Sequence, residues 1–263
     1  MEEITLSTWD EFLDKANLAM DDRNGPNGGR LSTKEPLFRG HANSTWELET
    51  TLDRFTDGVI SCRRYDETIR STAKAVRTVS GVTLEFDDFE EVEHVFDAPP
   101  NINAMAWLRQ NGFPSPLLDW SKSPYVASFF AFNNADNDVS DFVSIYVYIE
   151  SVTGVRTTNP ETPTIATIGE WLSTDKKHYL QQSRYTVSRQ YNLGTKASSY
   201  SSHQTAIKED ASDTDQNNVI KYNIPACQRE VVMGRLRKMN VTEYSLFETT
   251  ESLLKVIARD LYH

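Results

Sequence analysis

The segment from Asn111 to Phe132 constrains this chain more than any other. An acid and an indole, Asp119 and Trp120, stand directly ahead of a helix start. Ser121 or Ser123 is available as N-cap, and Pro124 takes the first helical position, where its missing N–H costs nothing. The helix behind it is almost wholly apolar, a composition that only a buried helix tolerates. Hydroxyls, an acid and an indole at such an N-terminus suit an anionic or aromatic ligand. The plain alternative is a packed junction with a satisfied Asp, and Asp119 is expected to cap backbone N–H groups or pair with an Arg.

Around this segment the pattern predicts an alternation of helices and strands. Ser7 to Met20 reads as a helix capped by Ser7, with Asp10 in place of a capping-box acid and Trp9, Phe12, Leu13 and Ala16 as its apolar stripe. Asp21 to Lys34 is a Gly/Asn/Asp loop, expected to be mobile. Pro36 to Gly40 reads as a short strand entering a turn. Cys62 to Val79 is a helix, Glu85 to Glu93 an acidic solvated face, and Asn103 to Asn111 a short helix ended by Gly112. Phe142 to Ile149, β-branched, aromatic and apolar on both faces, predicts a central strand. A further strand is expected at Arg184 to Ser188. Thr153 to Ile168 and the polar Ser198 to Asn218 read as loops. Ala226 to Met239 and Glu251 to Tyr262 are amphipathic helices around Tyr244 to Phe247. No repeat or linker interrupts the chain, so one α+β domain is expected, with residues 1–36 as a helix and loop leading into it.

Composition bounds the function. The 263 residues suffice for a sizeable core. With 27 basic and 38 acidic residues the net charge is −11, which disfavours nonspecific binding to nucleic acid or anionic membranes. No apolar run approaches ~18 residues and the start lacks a signal-like core, so a cytoplasmic protein with no membrane partner is expected. Cys62 and Cys227 sit in helix-like segments and read as reduced packing residues. His94, His203 and His263 read as solvated. There is no HExxH, Cys/His cluster, GxSxG elbow, Walker loop or GxGxxG, so no metal is expected and hydrolase, P-loop and ordinary Rossmann chemistry drop out.

Arg39, before Gly40 at a strand end, can turn its fork toward a phosphate or carboxylate; a solvated surface Arg is the bland alternative. His41 is a possible second donor. Gln181, Gln182, Ser183, Arg184, Tyr185 and Thr186 crowd polar groups where a strand begins, and these either satisfy one another or face a ligand. Glu230, Glu243, Glu248 and Glu251 are candidate carboxylates without a partner that spacing identifies.

Three separated segments resemble one family. Phe38-Arg39-Gly40-His41 with Trp46 to Arg54 is similar to the opening of the FRG domain, named for that tripeptide. Gly112 to Phe132 resembles its central Leu-Leu-Asp-Trp motif and the Ala/Phe-rich helix after it. His178 to Thr186 resembles its later Gln-rich strand, and Leu236 to Leu254 its C-terminal region. The likeness spans Leu37 to Ala258, implying an FRG domain over 37–263. The chain departs from the family at Arg109-Gln110-Asn111, where Gln-His is usual, and at Ser115-Pro116, where Thr-Arg is usual.

A weaker resemblance is to Arg-Ser-Glu ADP-ribosyltransferases, some of them bacterial toxins or defence effectors. It implies a split central sheet flanked by helices, with NAD as substrate. Arg39, with Gly40 and His41, would then hold the pyrophosphate. Ser121 or Ser123 would shape the nicotinamide pocket, with Asp119 and Trp120 beside it and Gln181, Gln182 and Tyr185 completing it. The strand-borne Glu of that family has no match, because Gln181 and Gln182 offer amides there; Glu248 or Glu251 would supply the charge. The acceptor, a protein or a nucleic acid, is left open. A non-catalytic nucleotide-binding or protein-interaction module is the alternative, the latter predicting that Arg39 and Asp119 point away from any shared pocket.

Overall fold

The computed structural model describes residues 1–21, 35–56, 59–136, 138–151, 159–168, 172, 176–209 and 216–262. Beyond Asp21, the loop read at Asp21 to Lys34 lies outside them, as does His263. Among the described residues nine strands form one mixed sheet: β1 (Glu2–Thr5), β2 (Leu37–His41), β3 (Ile60–Ser61), β4 (Leu117–Ser121), β5 (Phe142–Ser151), β6 (Thr164–Ile168), β7 (Ser183–Asn192), β8 (Ala197–Tyr200) and β9 (Gln216–Pro225). Their order is β1-β9-β5-β2-β4-β7-β8-β3, with β6 paired to β7. β1 and β9 run parallel, and the other pairs among the described residues are antiparallel.

The helices are α1 (Trp9–Asp21), α2 (Cys62–Ser80), α3 (Ile102–Gln110), α4 (Pro124–Asn133), α5 (Lys176–Leu180), α6 (His203–Glu209), α7 (Arg229–Lys238), α8 (Glu243–Phe247) and α9 (Thr250–Tyr262). Three apolar clusters pack the sheet. α1, α4 and α7 cover one half of a face through Phe12, Phe38, Phe129, Phe132 and Ile145. α2 and α3 cover the other half through Tyr65, Ile69, Met105, Leu117 and Tyr185. The opposite face is closed by Leu37, Leu118, Trp120, Tyr146 and Tyr148 with Ala206 and Ile207 of α6. None of the helices among the described residues is long and apolar enough to cross a membrane.

Local chemistry explains most elements. Ser123 caps α4 by accepting from Val126 N at 3.3 Å, with Pro124 at the first turn. The start of α1 lies one residue later than expected: Thr8 accepts from Glu11 N at 3.2 Å, and Glu11, not Asp10, reaches back to Ser7 N at 3.0 Å. Gly112 ends α3 at φ +87°, a conformation few residues but glycine adopt freely. Gly40 has a different necessity. A Cβ there would lie 2.0 Å from Ala127 O and 2.6 Å from Ala131 N, so α4 rests directly on the β2 backbone.

Several expectations are corrected. Thr164–Ile168 is a strand, and the polar 198–218 stretch supplies part of β8, α6 and the start of β9. Polar strands escape a hydrophobic pattern when their hydroxyls are satisfied inside the fold. The Ser198 N and Oγ both donate to Glu91, at 3.1 and 2.9 Å. The acidic run is therefore not only a solvated face: Phe86 and Phe89 pack inward under Arg70 and Arg63. His203 is fully buried, because α6 closes over β7 and Thr186 supplies its partner at 2.9 Å. Cys62 is buried as expected of a packing residue, but Cys227 is exposed. The sheet is continuous rather than divided in two; what remains of the expected split is one weak seam.

Candidate functional site

That seam lies between β2 and β4, which share a single residue pair, Phe38 with Ser121. β2 instead follows β5 along its whole length, and β4 follows β7. Beyond the Phe38–Ser121 pair the two strands diverge. Residue pairing and strand alternation place Arg39 and His41 on the Trp120 face and Asp119 with Ser121 on the other, so the gap opens toward both faces.

The Arg39 guanidinium crosses the gap. Its Nη1 donates to Asp119 O at 2.7 Å and its Nε to His41 Nε2 at 3.0 Å. Because Nε2 accepts, the neutral His41 carries its proton on Nδ1, which faces Trp46 O at 3.4 Å. Burial, reinforced by Arg39, lowers the His41 pKa to about 3. Burial lowers Arg39 to about 10, opposed by Asp119, and so it stays cationic at neutral pH. Two of its five N–H bonds are committed, leaving donors for an anion.

Asp119 pairs through Oδ2 with Arg109 of α3, while its Oδ1 is buried without a partner. Behind it, Gln110 Nε2 donates to Tyr185 Oη at 2.7 Å, and the Tyr185 ring stacks on His178 at 5.6 Å. Burial raises the Tyr185 pKa and keeps it a phenol. Ser121 Oγ donates to Gln181 O at 2.7 Å and accepts from Ser123 N at 3.0 Å. Trp120 Nε1 donates to Thr186 Oγ1 at 2.8 Å, and its ring lies against Tyr148 at 5.5 Å.

A cavity of about 770 Å³ opens at the seam. Of the residues singled out from sequence, Arg39, Gly40, His41, Asp119, Trp120, Ser121, Gln181 and Ser183 line it. Arg39 and Asp119 thus share one pocket, contrary to what a protein-interaction module predicts. Ser123 is absorbed in capping α4, Tyr185 sits behind Gln110, and Gln182 is exposed on a turn at φ +48°. None of these three lines the cavity, and neither do Glu248 and Glu251. Glu248 holds Lys176 at 2.9 Å and Glu251 holds Lys255 at 2.8 Å, both on the surface. They end in solvent because α8 stops at Phe247, whose ring fills the cavity wall against Phe130.

Trp46, Glu47, Glu49, Arg54 and Gln110, which the sequence supplies only as family-like segments without a site role, also line the space, as does Lys177. A tryptophan inside a charged, non-periodic stretch was the available signal for the first of them. No cluster of three or more His, Cys, Asp or Glu able to hold a metal occurs among the described residues.

No curated protein and no solved structure matches the chain. A family model does, over a range that includes Phe38-Arg39-Gly40 and the Leu-Leu-Asp-Trp strand with α4 but stops before β7. The two strands that flank the seam are thus the matched ones: this protein carries an FRG domain, matched over residues 34–140.

Proposed function

We propose that the seam cavity binds NAD or a closely related nucleotide and that the chain acts on it as an ADP-ribosyltransferase-like enzyme. The observation that carries this reading is the Arg39 guanidinium, held in the gap with donors to spare and aromatic walls around it. A fork with two fixed hydrogen bonds is preorganised for a pyrophosphate, and little rotamer entropy is lost on binding. The volume lies within the roughly 300–1,000 Å³ typical of small-molecule sites. Ser121, its hydroxyl spent on Gln181 O, acts as scaffold rather than ligand contact. In the reaction the bond between the nicotinamide nitrogen and ribose C1′ breaks, and nicotinamide leaves with the bonding pair. An acceptor nucleophile, on a protein or a nucleic acid, bonds to C1′ and gives up its proton. A role as toxin or defence effector belongs with this reading.

A second reading, nucleotide binding without chemistry, is favoured by one observation: Glu248 and Glu251 are engaged in surface ion pairs outside the cavity. Incubation of wild type and Arg39→Ala with radiolabelled NAD separates the two. Nicotinamide release or self-labelling that disappears in the variant supports the enzyme. Saturable binding that needs Arg39, with no product, leaves the binding module. Absence of both binding and turnover in the wild type removes the nucleotide altogether.

A further inference from the structure

The rim of the cavity carries an aromatic side chain that the fold leaves uncovered while holding its main chain still. Trp46 is 54% exposed, yet its carbonyl accepts from Tyr146 Oη at 2.8 Å and faces His41 Nδ1 at 3.4 Å. Trp46 N donates to Asn43 O at 3.2 Å, and Asn43 Oδ1 accepts from Thr45 N at 2.8 Å, closing the turn that precedes it. The indole touches the His41 ring edge-on at 6.1 Å. An anchored backbone under a half-bare indole loses apolar burial that packing could have supplied, and it presents a preorganised stacking surface instead.

The next lining residues on the same segment are Glu47 and Glu49, both exposed. Glu47 lies near the Tyr146 phenol, where it helps raise that pKa after burial, which places its charge on the Trp46 side of the cavity. Arg39, Arg54 and Lys177 line the remainder and suit the anionic part of a ligand. An indole face flanked by carboxylates attracts a planar ring that is itself cationic, through the ring quadrupole and the adjacent negative field together.

We propose that Trp46, with Glu47 and Glu49, forms a subsite for a positively charged planar ring at the mouth of the cavity. This rests on the nucleotide reading above and sharpens it: the ring is an oxidised pyridinium, so the site selects oxidised over reduced NAD. The reduced ring is neutral and puckered, and it loses both attractions.

Calorimetric titrations of oxidised NAD, reduced NAD and ADP-ribose into wild type, Trp46→Ala, Trp46→Phe and Arg39→Ala test it. Oxidised NAD is expected to bind about tenfold more tightly than reduced NAD, with Trp46→Ala erasing that preference and Trp46→Phe keeping most of it. ADP-ribose, lacking the ring, should bind Trp46→Ala and wild type within about twofold. Equal affinity for the two redox forms overturns the subsite, as does an equal loss of ADP-ribose and NAD affinity in Trp46→Ala. If Arg39→Ala weakens all three ligands while Trp46→Ala changes none, the subsite fails and the nucleotide reading stands. If wild type binds none of them, both fall together.

Discussion

The Arg39 guanidinium donates to the Asp119 carbonyl at 2.7 Å, at the point where the β2–β4 ladder has given out after a single residue pair. A side chain does here what backbone N–H groups do elsewhere in the sheet, and the space it spans is the cavity. A stabilising hydrogen bond and the proposed ligand contact therefore meet in one residue.

Arg39→Lys should separate these two roles. An ammonium has no planar fork and cannot reach His41 Nε2 and Asp119 O together while offering donors to a phosphate. Loss of a charge-assisted hydrogen bond is expected to cost about 1–3 kcal/mol in urea unfolding, with nucleotide affinity falling more than tenfold. A lysine variant with wild-type affinity would show that the fork is not used.

Asp119→Asn should reduce stability more than binding. It removes the charge facing Arg109, whose side chain is only 14% exposed, and leaves that cation without its counter-ion. Because Asp119 is itself partly exposed, the cost is expected near 2 kcal/mol, below that of a fully buried pair. Arg39 uses the Asp119 main chain, which the substitution leaves in place, so affinity should change by less than about threefold. Melting temperature and ligand titration on one sample check both halves.

Gly40→Ala should destabilise by about 3 kcal/mol or more, since its Cβ would collide with helix backbone that cannot swing aside. Gly234→Ala is the control. It lies within α7 with nothing inside 4 Å of the added Cβ, and it should stabilise by about 0.5–1 kcal/mol. Equal effects at the two sites would contradict the contact between α4 and β2.

Acid should weaken the fold from pH 6.5 downward. His41 and His203 are buried neutral, each with a pKa lowered to about 3, first by burial and then by Arg39. The unfolded chain protonates them near 6.5, so their contribution is complete above that pH and is lost as pH falls toward 3. Each is expected to remove about 1.4 kcal/mol of stability per pH unit inside this window. Urea titrations at pH 7, 6 and 5 measure the slope, and His203→Gln should reduce it by one proton.

Glu248→Gln and Glu251→Gln should leave ligand affinity and NAD turnover within about twofold of wild type, as expected for exposed ion pairs away from the cavity. A loss of turnover without a loss of binding in either variant would bring that carboxylate back into the chemistry.

The local grammar of this chain was legible without coordinates. Ser123 and Pro124 announce α4 because a cap and its first turn are decided within four residues. β5 is readable because a strand buried on both faces must be apolar throughout. Arg39 and the Asp119–Trp120 pair stood out because such residue types are costly to place together without a purpose. Tertiary structure decided the rest. β8 and His203 are polar by composition and buried only because Glu91 and Thr186 arrive from elsewhere in the chain. Gly40 lines the cavity, but what its missing Cβ makes room for is a helix. Trp46 reaches the cavity, and Glu248 does not, through the turn at Asn43 and the end of α8. Sequence carries what neighbours along the chain settle between themselves, whereas the seam exists only because β2 follows β5 and β4 follows β7, long-range pairings that no local pattern encodes.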